Sequence, residues 1–255
     1  MSYPSQKRLL IVISLLLAGC AAPSTQVAAI ATQTPPSIPS SQPADTAVSA
    51  QTSIPGFEDW SVFNPNAVDV KAENGSLVLT LKLRALWFMS QRGVLMYQPV
   101  PGNFKITADV HAAKSSDPSQ APGGDGTVQL GGLMARSGAG GKENYVFIVL
   151  GDDGNGLSIE TKNTTDSFSE YHGPEWDASE AELRLCRFGQ TFNLYKRHIG
   201  AGEPWVLAES IERPDLPDTL QVGANIYTDS TPDLRMRFDH LRIETVSDQA
   251  ACEQD

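Results

Sequence analysis

The sequence is poor in cysteine, in aromatic residues and in basic side chains. Only 3 of its 255 residues are Cys and 7% are aromatic, which excludes the small disulfide-rich scaffolds. Lys and Arg number 19 against 30 Asp and Glu, so the formal net charge is −11. We therefore expect no nucleic-acid partner, because binding to phosphates requires a basic surface.

A long apolar run is also missing. The most apolar segment, residues 9–17, follows Lys7 and Arg8 and is too short to span a bilayer, which needs roughly 20 residues. A positive start followed by a short apolar segment is typical of a signal peptide, which we predict at residues 1–19.

Residues 17–20 (LAGC) resemble the lipobox of bacterial lipoproteins. The resemblance implies that the Cys20 thiol carries lipid and that Cys20 becomes the first residue of the mature chain. More than one acyl chain holds a protein stably at a membrane. Because Ala21 follows instead of Asp, the family rule leaves the outer membrane or the cell surface open. We expect an extracytoplasmic, lipid-anchored protein; the alternative is a secreted protein with an incidental Cys20.

Residues 21–53 are dominated by Ala, Ser, Thr, Pro and Gln, with Asp45 as the single charged residue. Such a segment cannot bury enough apolar surface to offset the entropy lost on ordering. We predict that residues 20–53, beginning at the lipidated Cys20, form a disordered linker. Residues 54–255 are then left as one folded domain.

Apolar and polar residues alternate with a period of two through much of this domain, and no segment shows a sustained helical period. The alternation is typical of antiparallel strands that bury one face. Many strands without intervening helices predict an all-β fold, an antiparallel jelly-roll sandwich of two sheets. The predicted strands cover residues 77–84, 105–110, 129–136, 144–150, 157–162, 183–188, 192–197, 205–211, 220–227 and 234–245.

The last predicted strand changes phase along its length. Met236 and Phe238 share one face, whereas Leu241 and Ile243 belong to the opposite phase. A β-bulge near Asp239 or His240 would keep all of them on one buried side, since a bulge inserts one extra residue into a strand.

Short segments spread over the domain carry a family resemblance: GNFKI (102–106), GGLMAR (131–136), NYV (144–146), FNLYKR (192–197) and FDHLRI (238–243). They are similar to the concanavalin A-like (laminin G-like) lectin and glucanase superfamily, and within it to bacterial secreted proteins of unknown function. The resemblance covers roughly residues 54–245. It implies a concanavalin A-like sandwich, but it does not specify the activity, because this superfamily includes lectins, adhesion modules and glycosidases.

Glu175, Asp177 and Glu180 have the spacing Glu-x-Asp-x-x-Glu that supplies the catalytic carboxylates in laminarinase-type members of the superfamily. A retaining glycosidase needs two carboxyl groups about 5–5.5 Å apart, a separation that alternate strand residues nearly provide. The surrounding sequence argues against a strand, because Gly173 and Pro174 favour a turn. We therefore expect a capped turn at 177–180, with no catalytic residues, and keep catalysis as the alternative.

The metal and cysteine chemistry of the domain is sparse. Asp152 and Asp153 precede a Gly-Asn-Gly turn, and we prefer a hairpin to a calcium site because the spaced ligands of a dedicated calcium loop are missing. We therefore expect no cofactor, with calcium as the alternative. Cys186 and Cys252 are compatible both with a disulfide and with two free thiols, since pairing cannot be derived from sequence.

Sugar recognition uses aromatic rings for stacking and a few polar groups for hydroxyls. Strand residues whose phases are compatible with one shared face are Arg136, Tyr145, Glu160 and Lys162. Trp87 is a further candidate, although Trp87 and Tyr145 are equally compatible with the core. A polar segment adds the exposed candidates Tyr171, His172 and Trp176.

We predict a surface-tethered, non-catalytic carbohydrate-binding sandwich that takes a glycan or another extracellular ligand. One alternative is a glycoside hydrolase of the same superfamily, and another is a structural or adhesion protein of the envelope that binds a protein partner. The chain contacts the membrane only through the lipid in each of these interpretations.

Overall fold

The structure of the protein is a computed structural model that describes residues 49–51 and 54–255. The predicted signal peptide, Cys20 and most of the predicted linker lie outside the described residues. The strands are β1 (Ser49–Gln51), β2 (Ser61–Phe63), β3 (Val68–Glu73), β4 (Ser76–Leu81), β5 (Val94–Pro101), β6 (Phe104–Ala113), β7 (Val128–Arg136), β8 (Tyr145–Asp153), β9 (Leu157–Thr165), β10 (Phe168–His172), β11 (Glu180–Phe188), β12 (Thr191–Arg197), β13 (Val206–Glu212), β14 (Thr219–Thr228) and β15 (Arg235–Thr245).

The strands form two antiparallel sheets, which confirms the predicted all-β sandwich. An eight-stranded sheet has the order β1-β2-β5-β14-β7-β8-β9-β10, and a seven-stranded sheet has the order β13-β12-β11-β6-β15-β4-β3. The described residues also contain the short 3₁₀ helices Pro65–Ala67 and Gln249–Cys252. No helix in this part of the chain has the length and apolar character needed to cross a membrane.

The main core lies between the two sheets, because alternate residues of each strand point toward the partner sheet. In β8, Val146 and Ile148 belong to this inter-sheet core, whereas Tyr145 and Phe147 point to the other side of the eight-stranded sheet. The large side chains of the core come from both sheets and include Leu77, Leu79, Phe104, Phe192, Ile226 and Phe238.

The predicted bulge in the last strand is confirmed. The register of β15 against β6 shifts between Asp239 and Arg242, and His240 has a positive φ of 54°. As a result, Leu241 and Ile243 pack against the same inter-sheet core as Phe238.

Five strands of the described residues were not predicted from the sequence: β1, β2, β3, β5 and β10. β5 was not predicted, since its first four residues are buried on both faces and show no alternation, and Pro99 and Pro101 interrupt its second half. Ser49–Gln51 fall inside the predicted linker but pair with β2 as strand β1. The sandwich therefore begins before Ile54.

Cys186 and Cys252 form a disulfide that spans 66 residues of sequence. Cys186 lies on the outer face of β11, and Cys252 belongs to the segment 248–255 that follows β15, which we call the tail. The two sulfurs are buried with Tyr195 and Val246 in a small apolar cluster. The bridge therefore fastens the tail to the outer face of the seven-stranded sheet.

Candidate functional site

A second apolar cluster covers the outer face of the eight-stranded sheet, on the side away from the inter-sheet core. Neighbouring strands β7 and β8 contribute to it because many of their outward positions are aromatic or aliphatic, and β14 adds one tyrosine. We call this group the outer-face cluster; its buried members are Phe63, Trp87, Leu95, Tyr97, Leu130, Met134, Tyr145, Phe147, Val149 and Tyr227.

Residues 82–93, which connect β4 of one sheet to β5 of the other, cover this cluster; we call them the strap. Trp87 is fully buried, donates from Nε1 to the Val94 carbonyl at 3.1 Å, and packs edge-on against Tyr145 at 5.4 Å. A Cβ on Gly93 would overlap the Trp87 indole. Close packing of the strap on the sheet therefore requires glycine at position 93.

Polar contacts hold the far end of the strap. Arg136 binds Glu143 through two nitrogens at 2.7 and 2.9 Å, donates to Gln221 at 2.7 Å and stacks on Phe63 at 4.4 Å. Arg92 of the strap also binds Glu143, at 2.6 Å. Arg136 is thus fully engaged in a buried ion-pair network that fixes the strap.

The structure corrects three of the predicted ligand contacts. Trp87 and Tyr145 have no exposed surface and Arg136 has 5%, so none of them is available to a ligand. Burial also raises the pKa of Tyr145 to about 12. Arg136 and Tyr145 do share the predicted face of the sheet, but the strap, to which Trp87 belongs, covers them.

An open pocket of about 280 Å³ remains at one side of the strap. Its walls combine aromatic rings, charged groups and strap residues: Leu86, Phe88, Val128, Asp153, Asn155, Glu160, Lys162, Tyr171, Tyr227 and Asp229. The predicted residues Glu160, Lys162 and Tyr171 therefore meet in one site. Tyr171 is 55% exposed, and its ring contacts that of Phe88 edge-on at 6.4 Å.

A buried ion pair forms the polar floor of the pocket. Lys162 Nζ lies 3.0 Å from Glu160 Oε1 and donates to the Trp87 carbonyl at 3.1 Å, while the Tyr227 hydroxyl donates to the same Glu160 oxygen at 3.0 Å. Burial lowers the pKa of Lys162, an effect that the charge of Glu160 opposes, and burial raises the pKa of Tyr227. The floor thus offers hydrogen-bond donors and acceptors beneath aromatic walls.

The other two predicted contacts lie at the edge of the sandwich. His172 lines a shallow groove with Pro174, Lys196 and Leu207. Trp176 stacks on His198 at 4.3 Å and donates from Nε1 to the Glu180 carbonyl at 3.0 Å. Neither residue lines the pocket beside the strap, so the structure does not place them with Glu160.

The three carboxylates of the Glu-x-Asp-x-x-Glu spacing lie in separate local contacts. Asp177 binds His198 Nε2 at 3.0 Å and Glu180 binds His111 Nδ1 at 3.0 Å, whereas Glu175 lies on an exposed turn that bridges to Ser158. The first two side chains are engaged with different histidines. The predicted turn is present, but the expected capping contact between Asp177 and Glu180 is replaced by these histidine contacts.

Asp152 and Asp153 stabilise the turn between β8 and β9. Asp152 accepts hydrogen bonds from the Gly124 and Gly154 amides at 3.1 and 2.7 Å, and Asp153 accepts one from the Asn155 amide at 2.8 Å. No group of three or more His, Cys, Asp or Glu suited to a metal ion occurs within residues 49–51 and 54–255.

Several pocket residues were missed by sequence reasoning. Tyr227 and Asp229 come from β14 and the turn after it, and the pairing of β14 with β7 that brings them to the pocket cannot be derived from local pattern. Phe88 lies next to Trp87 in a segment without strand or helix periodicity. One signal was available for Tyr227: it follows the core residue Ile226 in a strand, so its side chain points to the opposite, outer face.

Searches with family models and among curated proteins find no match to this chain. Among solved structures, a functionally unknown protein from Saccharomyces cerevisiae is similar with a TM-score of 0.55 and 15% identity, over 71% of this chain and 93% of that one. The xylan beta-1,4-xylosidase from Bacillus halodurans C-125 is similar with a TM-score of 0.53 and 13% identity. The Bacteroides ovatus xyloglucan PUL GH43B has a TM-score of 0.53 and 16% identity.

The coverage of the last two matches is unequal. They span 73% and 83% of this chain, but this chain covers only 36% and 42% of theirs. The similarity therefore shows a shared sandwich fold that forms one part of those larger proteins.

Proposed function

We propose that this protein is a non-catalytic carbohydrate-binding sandwich of the concanavalin A-like type, whose ligand is the terminal sugar of a glycan. The observation that carries the proposal is the pocket beside the strap, where Phe88, Tyr171 and Tyr227 surround a buried Glu160–Lys162 pair. Aromatic faces stack on the C–H faces of sugar rings, and adjacent donors and acceptors bind hydroxyls.

The size of the pocket supports a small ligand. Its volume of about 280 Å³ lies at the lower end of the range of roughly 300–1,000 Å³ typical of ligand pockets. A single sugar ring suits this space better than an extended oligosaccharide. Similarity in fold to a part of a xylan beta-1,4-xylosidase also makes a sugar a reasonable first ligand to test.

The polar groups of the pocket favour binding over hydrolysis. Glu160 already pairs with Lys162 and Tyr227, and Asp153 accepts a backbone hydrogen bond in its turn. A glycosidase needs one carboxyl group that donates a proton and a second that acts as nucleophile or base. The pocket supports binding without this division of roles.

Binding measurements on variants of two exposed aromatic residues of the same strand test this proposal. Tyr171 lines the pocket, whereas Phe168 of β10 is 60% exposed and does not line it. We expect Tyr171→Ala to weaken the binding of methyl glycosides and xylo-oligosaccharides about fivefold, since stacking contributes about 1 kcal/mol. Phe168→Ala is the matched control and should bind like the wild type.

Calorimetry with these ligands and an assay for released reducing ends are the measurements. Binding without release supports the proposal. Release of sugar that Glu160→Gln abolishes would contradict it in favour of the hydrolase alternative. The absence of binding to any sugar, together with a copurifying protein that Tyr171→Ala fails to retain, would contradict it in favour of the adhesion alternative.

The location of the protein is part of the same proposal. The sequence pattern of residues 1–20 supports an extracytoplasmic domain that is held at a bacterial membrane or cell surface by lipid on Cys20. Mass spectrometry of the mature protein tests this point, and an unmodified Cys20 in the native host would contradict it.

A further inference from the structure

The pocket beside the strap carries an excess of negative charge. Three carboxylates, those of Asp153, Glu160 and Asp229, line it together with a single ammonium group, that of Lys162. Because Lys162 lies 3.0 Å from Glu160, these two charges balance each other. Asp153 and Asp229 therefore determine the net charge that a ligand meets.

Backbone amides hold these two carboxylates in place. Asp153 Oδ1 accepts from the Asn155 amide at 2.8 Å, and Asp229 Oδ1 accepts from the Val128 amide at 3.0 Å. Neither side chain forms an ion pair of 4 Å or less within the described residues. Each carboxylate is thus fixed in position without an ion pair, and the Arg84 guanidinium at this turn binds the backbone carbonyl of Asp229 at 2.6 Å.

The aromatic walls also favour a positive group. The rings of Phe88, Phe147, Tyr171 and Tyr227 lie 5.0–5.4 Å from the Lys162 ammonium. Ring faces attract cations at such distances, and three of these four rings line the pocket.

A space of about one methyl group lies beside Gly173, which lines the groove of His172, and an unpartnered hydroxyl borders this space near Asp153. A Cβ built on Gly173 would lie 3.5 Å from Asp153 Oδ2 and 3.8 Å from Ser158 Oγ and Glu160 Cβ. Ser158 is 2% exposed, and its hydroxyl has no hydrogen-bond partner in the described part of the chain. Buried hydroxyls are almost always hydrogen-bonded, so a ligand group in this space would gain a bond that the protein leaves unmade.

We propose that the pocket selects sugars with a protonated amine over neutral sugars, and neutral sugars over uronic acids, with the amine near Asp153 and Ser158. This inference rests on the proposed sugar-binding function and specifies its ligand class. One unit charge about 6 Å from a carboxylate in a partly hydrated pocket changes affinity by roughly threefold to tenfold. Salt weakens this preference, because the pocket is open to solvent.

The experiment compares the methyl glycosides of glucosamine, glucose and glucuronic acid by calorimetry at low and high salt. We expect the glucosaminide to bind about threefold to tenfold more tightly than the glucoside, and the glucuronide to bind more weakly than both. The double variant Asp153→Asn, Asp229→Asn should make the three affinities nearly equal, since the amide oxygens still accept the backbone hydrogen bonds. Asp69→Asn, in the other sheet, is the control and should leave the order unchanged.

Gly173→Ala tests the position of the amine. Contacts of 3.5–3.8 Å are ordinary packing distances, so the methyl group fits and fills the space between Asp153 and Ser158. We expect a loss of binding of severalfold for the glucosaminide and a smaller loss for the glucoside. An equal loss for both would overturn the placement of the amine.

The outcomes separate this inference from the proposed function. Equal affinities for all three glycosides would overturn the charge preference and leave the sugar-binding function intact. If no glycoside binds, the proposed function fails, and tetramethylammonium then replaces the sugars, followed through the ring signals of Tyr171 and Tyr227. Binding of that cation that the double Asn variant loses would support the preference for positive charge; no binding would overturn it.

Discussion

The two outer faces of the sandwich are covered in different ways. On the eight-stranded sheet, the strap covers an aromatic surface, and Trp87 is buried completely. On the seven-stranded sheet, many outward residues are charged and form ion pairs with their neighbours. The tail covers one end of this face and is held by a disulfide and by ion pairs. Apolar packing and a buried ion-pair network hold the first cover, whereas a disulfide and more exposed ion pairs hold the second.

The difference shows where each cover is vulnerable. A cover held by apolar packing fails when volume is removed, and it responds little to pH or reductant. A cover held by a disulfide and carboxylates fails on reduction or at low pH. Of the two covers, only the strap contributes residues to the pocket, namely Leu86 and Phe88. Damage to the strap is therefore expected to alter ligand binding, and damage to the tail is not.

Removal of the Trp87 side chain should have the largest effect. We expect Trp87→Ala to lower the free energy of unfolding by about 3–5 kcal/mol, the usual cost of deleting a buried aromatic side chain. Ligand affinity should fall as well, because Phe88 and the Trp87 carbonyl that Lys162 binds both belong to the strap. Denaturant unfolding and calorimetry measure the two effects.

A matched control comes from the same segment. Leu83 is 55% exposed, and Leu83→Ala should leave stability within about 0.5 kcal/mol of the wild type. A Trp87→Ala variant as stable as this control would show that packing does not hold the strap.

Loss of the disulfide should have an intermediate effect on stability. Cys186→Ala with Cys252→Ala opens a loop of 66 residues, and such a change typically costs about 2–4 kcal/mol. The buried Arg184 donates to the Cys252 and Gln254 carbonyls at 2.8 and 3.0 Å. We expect these two carbonyls to become less ordered when the bridge is removed.

The test of this prediction is specific to one face. Hydrogen exchange should increase in the tail and β11 and stay unchanged in the strap, and ligand affinity should be that of the wild type. Weaker binding in this variant would contradict the independence of the two covers.

Acid should have the smallest effect and should act on the tail. Hydrogen bonds from Arg197 and Trp205 lower the pKa of Asp255 from 3.8 to about 2. A depressed carboxyl pKa contributes stability above the unfolded value, and that contribution disappears as the pH falls from 3.8 toward about 2. The loss should stay below about 1 kcal/mol, because the Asp255 side chain is 65% exposed and screened by water.

Tryptophan fluorescence can follow this transition, because Trp205 Nε1 donates to Asp255 at 3.0 Å. Asp255→Asn should remove the transition between pH 4 and pH 2 without a change in the strap. An identical acid transition in that variant would assign the effect to another carboxyl group.

The sequence predicts the sandwich well because alternation determines which side of each strand is buried. Ten strands and the bulge at Asp239 follow from that pattern alone. β5 does not, since it is apolar on both faces, and neither does β1, whose three residues are recognisable only by their pairing with Phe63 and its neighbours.

The candidate site was predicted only in part, because local pattern indicates the face of a strand but not which residues another segment covers. Glu160 and Lys162 come from one predicted strand and share a phase, so local pattern could group them. Tyr171 was predicted only as an exposed residue of a polar segment, and its pairing with Lys162 is visible only in the structure. Trp87, Arg136 and Tyr145 share the same face, but their exposure depends on the course of the strap, and the strap has no periodicity from which to predict it. His172 and Trp176 belong to a polar segment whose direction depends on tertiary contacts.

Glycine at position 93 is expected to restrict sequence variation at position 87 among homologues. A side chain there and an indole at position 87 exclude each other, so the two positions are expected to covary among homologues. Chains that keep Trp87 should keep Gly93 and the pocket beside the strap. Chains with a small residue at 87 are free to vary at 93, and they should present a long open groove that accepts a polymer in place of a chain end.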